Sequence, residues 1–115
     1  QPRERSEGGF HLFRRQDDSA VDTESGPVHV MAPTTGHFVP MIMVGPFGDE
    51  GPWWEHGEDE FVYVLDGVLV VVLDEGEHEL RAGDATYYEG WVRHKWRTPE
   101  GETSRVVVVK EQRRS

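Results

Sequence analysis

The sequence predicts an all-β domain, a set of short antiparallel strands closed into a sandwich or barrel. Two counts and one spacing carry that expectation. Val occurs 16 times, against five Leu, one Ile and four Ala. β-branched side chains lose rotamer freedom on a helix and fit a pleated surface. Glycine and proline then recur at close intervals, at Gly26-Pro27, Pro33, Gly36, Pro40, Gly45-Pro46, Gly51-Pro52, Gly57, Gly67, Gly76, Gly83, Gly90 and Pro99, and leave no room for a long amphipathic helix. Many short runs between turn residues read as a β-sandwich or barrel.

Taken in order, the runs are Val28–Ala32, Phe38–Val44, Glu60–Leu65, Val68–Leu73, His78–Arg81, Ala85–Tyr88, His94–Thr98 and Arg105–Lys110. Residues 28–110 therefore form the barrel. Residues 1–27 read as an N-terminal arm in which Phe10-His11-Leu12-Phe13 is a short strand docked on the barrel. Asp17–Gly26 is acidic and polar, hence a surface loop, and residues 111–115 are a charged tail.

Composition narrows the function. The chain has 115 residues, enough for one core and not two. Its formal charge of −10 repels a phosphate backbone, so this segment itself is not expected to contact nucleic acid. Without a cysteine there are no disulfides, thiolate nucleophiles or Cys-based metal sites. No apolar run reaches membrane-spanning length. The chain opens on Gln1, with its first methionine at Met31, and so reads as a piece of something longer. Nothing at its start resembles a signal peptide, so a cytoplasmic location is expected.

Chemistry concentrates in residues 51–67 and 80–97. His56 and Glu60 are four apart, but Gly57 and the Phe61–Leu65 run exclude a helix. On a flat strand their Cα atoms would stand about 13 Å apart, too far to share an ion. Gly57 permits a turn that brings them closer. His94, from a later strand, can join them across a barrel lumen. Two imidazoles and a carboxylate form a facial set suited to Fe(II), with Mn, Ni, Zn and Cu as alternatives. The spacing alone also suits a metal-free cluster of hydrogen-bonded polar groups.

Glu60–Gly67, Glu-Phe-Val-Tyr-Val-Leu-Asp-Gly, resembles the end of the first cupin motif, in which six residues separate a glutamate from a glycine. Gly83-Asp84, followed by His94 eleven positions after the glycine, resembles the second motif. The resemblance spans about Val28 to Val109 and implies a cupin fold, a double-stranded β-helix or jelly-roll barrel. His56–Leu65 and His94–Arg97 are most similar to the C-terminal cupin domain of helix-turn-helix transcriptional regulators of the xenobiotic-response-element type. Three departures qualify what the resemblance implies, one of them Thr98 in the place of an asparagine. Trp54 stands where the first histidine of a His-x-His belongs, and Glu89-Gly90-Trp91 replaces the usual Pro-x-Gly. Only His56, Glu60 and His94 match ligand positions, so the implied cofactor is one divalent metal (Fe, Mn, Ni or Zn) on three protein ligands. That reduced set resembles the one in the cupin epoxidase acting on hydroxypropylphosphonate.

Trp54, Met41, Met43, Tyr63, Tyr88 and Trp96 are expected to line a pocket for a small organic molecule. Arg93, Lys95 and Arg97 should alternate outward and meet acids of Asp49–Asp59. The unbroken valines at 70–72 and 106–109 should be covered on both faces, which implies a homodimer. The expected function is effector sensing in a transcriptional regulator. The alternative is a metal-dependent enzyme, an Fe(II)-type oxygenase, epoxidase or isomerase acting on a small polar molecule.

Overall fold

The structure is a computed structural model describing residues 9–23, 26–48 and 51–112. Eight strands, all paired antiparallel, carry the fold: β1 (Val21–Thr23), β2 (Gly26–Val30), β3 (Phe38–Val44), β4 (Glu60–Leu73), β5 (Gly76–Arg81), β6 (Ala85–Tyr88), β7 (Lys95–Arg97) and β8 (Ser104–Glu111). A single 3-10 turn at Arg15–Asp17 is the only helical element among the described residues besides the start at Gly9. The strands run in the order β1-β2-β3-β8-β4-β5, and β6 and β7 also pair with β4.

β4 is the member that both halves of the jelly roll share. Its first half pairs with β8 and β6, and its second half with β5 and β7. The sequence reading split this strand at Gly67. The chain instead continues through it, because Gly67 takes φ 83° in line with the strand rather than reversing it. A Cβ there would lie 2.0 Å from the Thr103 carbonyl oxygen, so the position accepts glycine alone. The register against β8 slips between Val64 and Asp66, a bulge that bends the strand from one sheet into the other.

Alternation along β4 and β8 sets the core. Val62, Val64, Leu69, Val71, Leu80, Val106 and Val108 are buried together with Phe47 and Tyr88. Met41, Met43 and Trp96 pack against them.

Several expectations need correction. Phe10–Phe13 forms no strand, and Phe10 and Leu12 are 61% and 58% exposed. The added edge strand is instead β1, inside the stretch expected to be loop, where Val21-Asp22-Thr23 pairs with Gly26–Val28. The expected tail begins inside β8, which runs to Glu111, and residues 113–115 and 1–8 lie outside the described residues. Arg93 and Arg97 face Asp74 and Glu77, each at 2.7 Å, on the β4–β5 hairpin, while residues 49 and 50 of the expected acidic segment lie outside the described residues. Arg93 and Lys95 also lie 4.3 and 5.3 Å from the centroid of the Trp53 ring.

Candidate metal centre

Glu60 opens β4 on its buried side, opposite Tyr88 of β6 in the ladder. His94 precedes β7 and is fixed by two backbone hydrogen bonds with Trp54: the Trp54 N–H donates to the His94 carbonyl at 2.8 Å, and the His94 N–H to the Trp54 carbonyl at 2.9 Å. His56 follows two residues after Trp54, in the loop that Gly57 turns toward β4.

That loop is locked against the turn before β7. The Trp91 N–H donates to the His56 carbonyl at 2.7 Å. A Cβ on Gly90 would stand 2.1 Å from the Gly57 carbonyl oxygen, and one on Gly57 would press on the Trp91 indole at 3.1 Å. Trp91 itself takes φ 71°, the left-handed region that a non-glycine residue rarely occupies. Asp59 completes the clamp. Its Oδ1 accepts the Gly90 N–H at 2.8 Å, its Oδ2 accepts the Tyr87 hydroxyl, and its own N–H donates to Glu111 Oε1 at 3.0 Å. The sequence reading counted Asp59 only among the acids expected to meet the outward basic residues, and missed this role.

The three expected ligand residues converge. His56, Glu60 and His94 each offer a ligand atom, and these atoms lie within 4.8 Å of one another. Glu60 and His94 are buried, and His56 is half-buried. Each imidazole is already oriented through its Nδ1. That of His94 lies 3.0 Å from the Val92 carbonyl and that of His56 3.1 Å from the Glu58 carbonyl, so both act as Nδ1–H donors. This tautomer leaves each Nε2 lone pair free to ligate. Among the described residues, His56 Nε2 is a buried polar atom with no hydrogen-bond partner, and His94 Nε2 lies 3.4 Å from Glu60 Oε1. An orphaned imidazole nitrogen beside a buried carboxylate is costly unless a further group completes it. The donor set fits a divalent cation.

Burial pushes the Glu60 carboxyl upward. In the ion-free chain, pairing with His94 in its protonated form, the Tyr88 hydrogen bond and the nearby charge of a protonated His56 outweigh it together, so the group sits below its usual value and stays ionised. Tyr88 donates its hydroxyl to Glu60 Oε1 at 2.5 Å. Burial first, then the Glu60 charge and this bond, push its phenol far above the ordinary range, which keeps it a neutral donor.

Above the cluster opens a cavity of about 540 Å³, walled by Met43, Pro46, Phe47, Trp54 and Trp96, with Glu60 and His94 in its lining. Thr23 and Gly26 of the β1–β2 hairpin close one side. Phe47 meets Trp96 edge-on at 5.3 Å. Of the residues expected to line a pocket, Trp54, Met43 and Trp96 do so, and Trp54 keeps 49% exposure at the mouth. Tyr88 lies beneath, bonded to Glu60. Met41 shares the face of Met43 but packs into the core. Tyr63 does not belong to the site. As an odd-numbered residue of β4 it points away from Glu60 and Val62 and is 37% exposed. Phe47 was missed, because a lone Phe in a Gly-Pro-rich loop carries no periodicity.

Residues 41–110 match the family model of the cupin domain. No curated protein matches the chain in sequence. Among solved structures, the polyketide cyclase RemF from Streptomyces resistomycificus aligns at a TM-score of 0.78 with 23% identity, over 91% of this chain and 81% of its own. An RmlC-like cupin from Shewanella frigidimarina aligns at 0.77 with 20% identity, over 97% and 96%. Fe(II)-bound HppE aligns at 0.73 with 15% identity, over 90% of this chain and 62% of its own. These likenesses agree on the fold.

Proposed function

From the premise that this chain belongs to the cupin family, we propose that it is a metal-dependent protein acting on a small, largely apolar organic molecule with an oxygen donor. His56 Nε2, His94 Nε2 and a Glu60 oxygen would hold one divalent cation. A cation on three protein ligands supplies Lewis-acid or Fe(II)-type chemistry at the positions left open. The chain's own residues do the rest. Val92 and Glu58 carbonyls fix the two imidazole tautomers. Tyr88 steadies the carboxylate, and Met43, Phe47, Trp54 and Trp96 give the ligand a wall that sheds water. That a polyketide cyclase and an Fe(II)-bound HppE share this shell supports the reading.

The observation that carries the proposal is the buried His56 Nε2, without a hydrogen-bond partner among the described residues and within reach of Glu60 and His94. Chelator-stripped protein titrated with Fe(II), Mn(II), Ni(II) or Zn(II) should take up one ion per chain, and His94→Ala should abolish uptake. Trace occupancy with all four ions overturns the proposal.

The sensor reading uses the same cavity. It rests on the likeness of His56–Leu65 and His94–Arg97 to the cupin domains of helix-turn-helix regulators, and it places the protein in the cytoplasm with an effector in place of a substrate. A coding segment for a helix-turn-helix upstream of Gln1, with ligand binding but no turnover, would favour it. Turnover of a bound ligand sinks it.

We also propose that the protein is a homodimer. On the outer face of the sheet, Pro40–Val109–Phe61 and Ile42–Val107–Tyr63 form two adjacent rows across β3, β8 and β4, all apolar. On β8 the same face continues to Arg105 at one end and Glu111 at the other. A second copy related by a two-fold axis would cover the valines and set each Arg105 end against the partner's acidic end. Light scattering should report a dimer that Tyr63→Glu dissociates. A monomer at high concentration refutes it.

A further inference from the structure

Tyr88 touches two of the three candidate ligands at once. It stands opposite Glu60 in the β4–β6 ladder, so both side chains leave the sheet on one face. Its hydroxyl donates to Glu60 Oε1 at 2.5 Å, and its ring packs on the His94 imidazole with centroids 4.2 Å apart. On its other side, Trp96 Nε1 lies 3.2 Å from the Tyr88 oxygen. Trp96 lines the cavity.

The chemistry of these groups fixes the direction of the chain. An indole N–H only donates, and a phenol carries one hydrogen. Trp96 therefore donates to Tyr88, and Tyr88 spends its only hydrogen on Glu60. Tyr88 is buried at 5% exposure, so water does not replace either bond. Hydrogen bonds aligned in this way polarise one another: the indole strengthens the phenol as a donor to the carboxylate.

From this geometry we propose that Tyr88 is a positioning residue of the metal centre, and that Trp96–Tyr88–Glu60 is a hydrogen-bonded relay by which the cavity wall sets the geometry and donor strength of the Glu60 ligand. The proposal rests on the metal-binding reading above. The relay holds Oε1 and stops the carboxylate from rotating, which leaves Glu60 one settled way to meet a cation. A molecule packing on Trp96 shifts the indole N–H and is thereby felt at Glu60, so ligand occupancy and metal affinity are coupled.

Co(II) is the probe, because its visible spectrum reports ligand geometry. Tyr88→Phe keeps the ring on His94 and removes the hydroxyl. It should weaken Co(II) binding about 10- to 100-fold and shift the spectrum of the bound ion. Trp96→Phe should weaken binding less, and the double variant should bind no worse than Tyr88→Phe, since the relay is already cut. In metal-free protein, the Trp96 indole N–H resonance should move in Tyr88→Phe. Co(II) binding within twofold of wild type with an unchanged spectrum, or additive losses in the double variant, overturns the relay. So does an unmoved indole resonance. Wild-type protein that takes up no Co(II) while the resonance moves overturns the metal reading instead, and the positioning role with it. Trp96→Phe leaves Tyr88 in place, and so keeps the spectral test available if Tyr88→Phe folds poorly.

Discussion

The two halves of β4 are built on different rules although they are one strand. From Glu60 to Leu65, buried and outward residues alternate, with Glu60, Val62 and Val64 in and Tyr63 and Leu65 out. From Val68 to Val71 every residue is buried. The first half has one face toward the site and another toward the outer surface. The second half pairs with β5 and β7 along its edges and is buried on both faces from Val68 to Val71. The difference shows where chemistry can sit. An alternating strand can present a carboxylate on one face without disturbing the other, whereas a strand covered on both sides has room only for packing.

The largest effect should come from breaking the joint between the halves. Gly67→Ala puts a Cβ against the Thr103 carbonyl at 2.0 Å and forces φ 83° on an alanine. A loss on the order of 4 kcal/mol is expected in chemical denaturation. An unchanged midpoint would show that the bend does not depend on this glycine. Next, Leu69→Ala in the packed half should cost about 2–5 kcal/mol, because Leu69 is fully buried.

In the alternating half the effects turn functional. Trp54→His places an imidazole where the family's first motif carries one, on a residue that already lines the cavity. Metal affinity should rise about tenfold, or about 1.4 kcal/mol by calorimetry, and no gain would mean that position 54 is turned from the cluster. Glu60 supplies a pH signature. Its carboxyl is held below its ordinary value of 4.5 in the folded chain, so the unfolded chain binds more protons in that window. The stability it contributes is full above pH 4.5 and is lost as the pH falls through the folded value. Metal-free wild type should therefore lose more melting temperature between pH 7 and pH 4 than Glu60→Gln, and equal slopes would contradict the shift. The smallest effect belongs to the outward face. Tyr63→Thr should move stability by no more than about 0.5 kcal/mol at dilutions where the chain is monomeric.

The sequence was most legible where local pattern and tertiary role coincide. Phe38–Val44 and Ala85–Tyr88 begin and end where their glycine and proline neighbours put them. The convergence of His56, Glu60 and His94 followed from two motifs in the right order, with Gly57 as the turn that makes it feasible. What failed to show is what depends on partners far away in the chain. β1 is a strand because β2 offers it an edge, and its three exposed residues carry no alternation. Gly67 looks like a turn in sequence and lies within a continuous strand in space, just past the register slip between Val64 and Asp66. Tyr63 attracted attention as an aromatic, but the parity of β4 sends it outward. The roles of Asp59 and Tyr88 depend on residues 28 and more positions distant.

The contact between Gly57 and Gly90 bears on the order of assembly. Because main chain meets main chain there, the shell itself seats the two histidines, whether or not an ion is bound. Loading would then be the last event after folding instead of its cause, unlike small zinc domains that collapse without their ion. A chelator would strip such a protein to an empty vessel that refills on contact with fresh ion, and the choice among competing ions would fall to the supply in the cell as much as to the site.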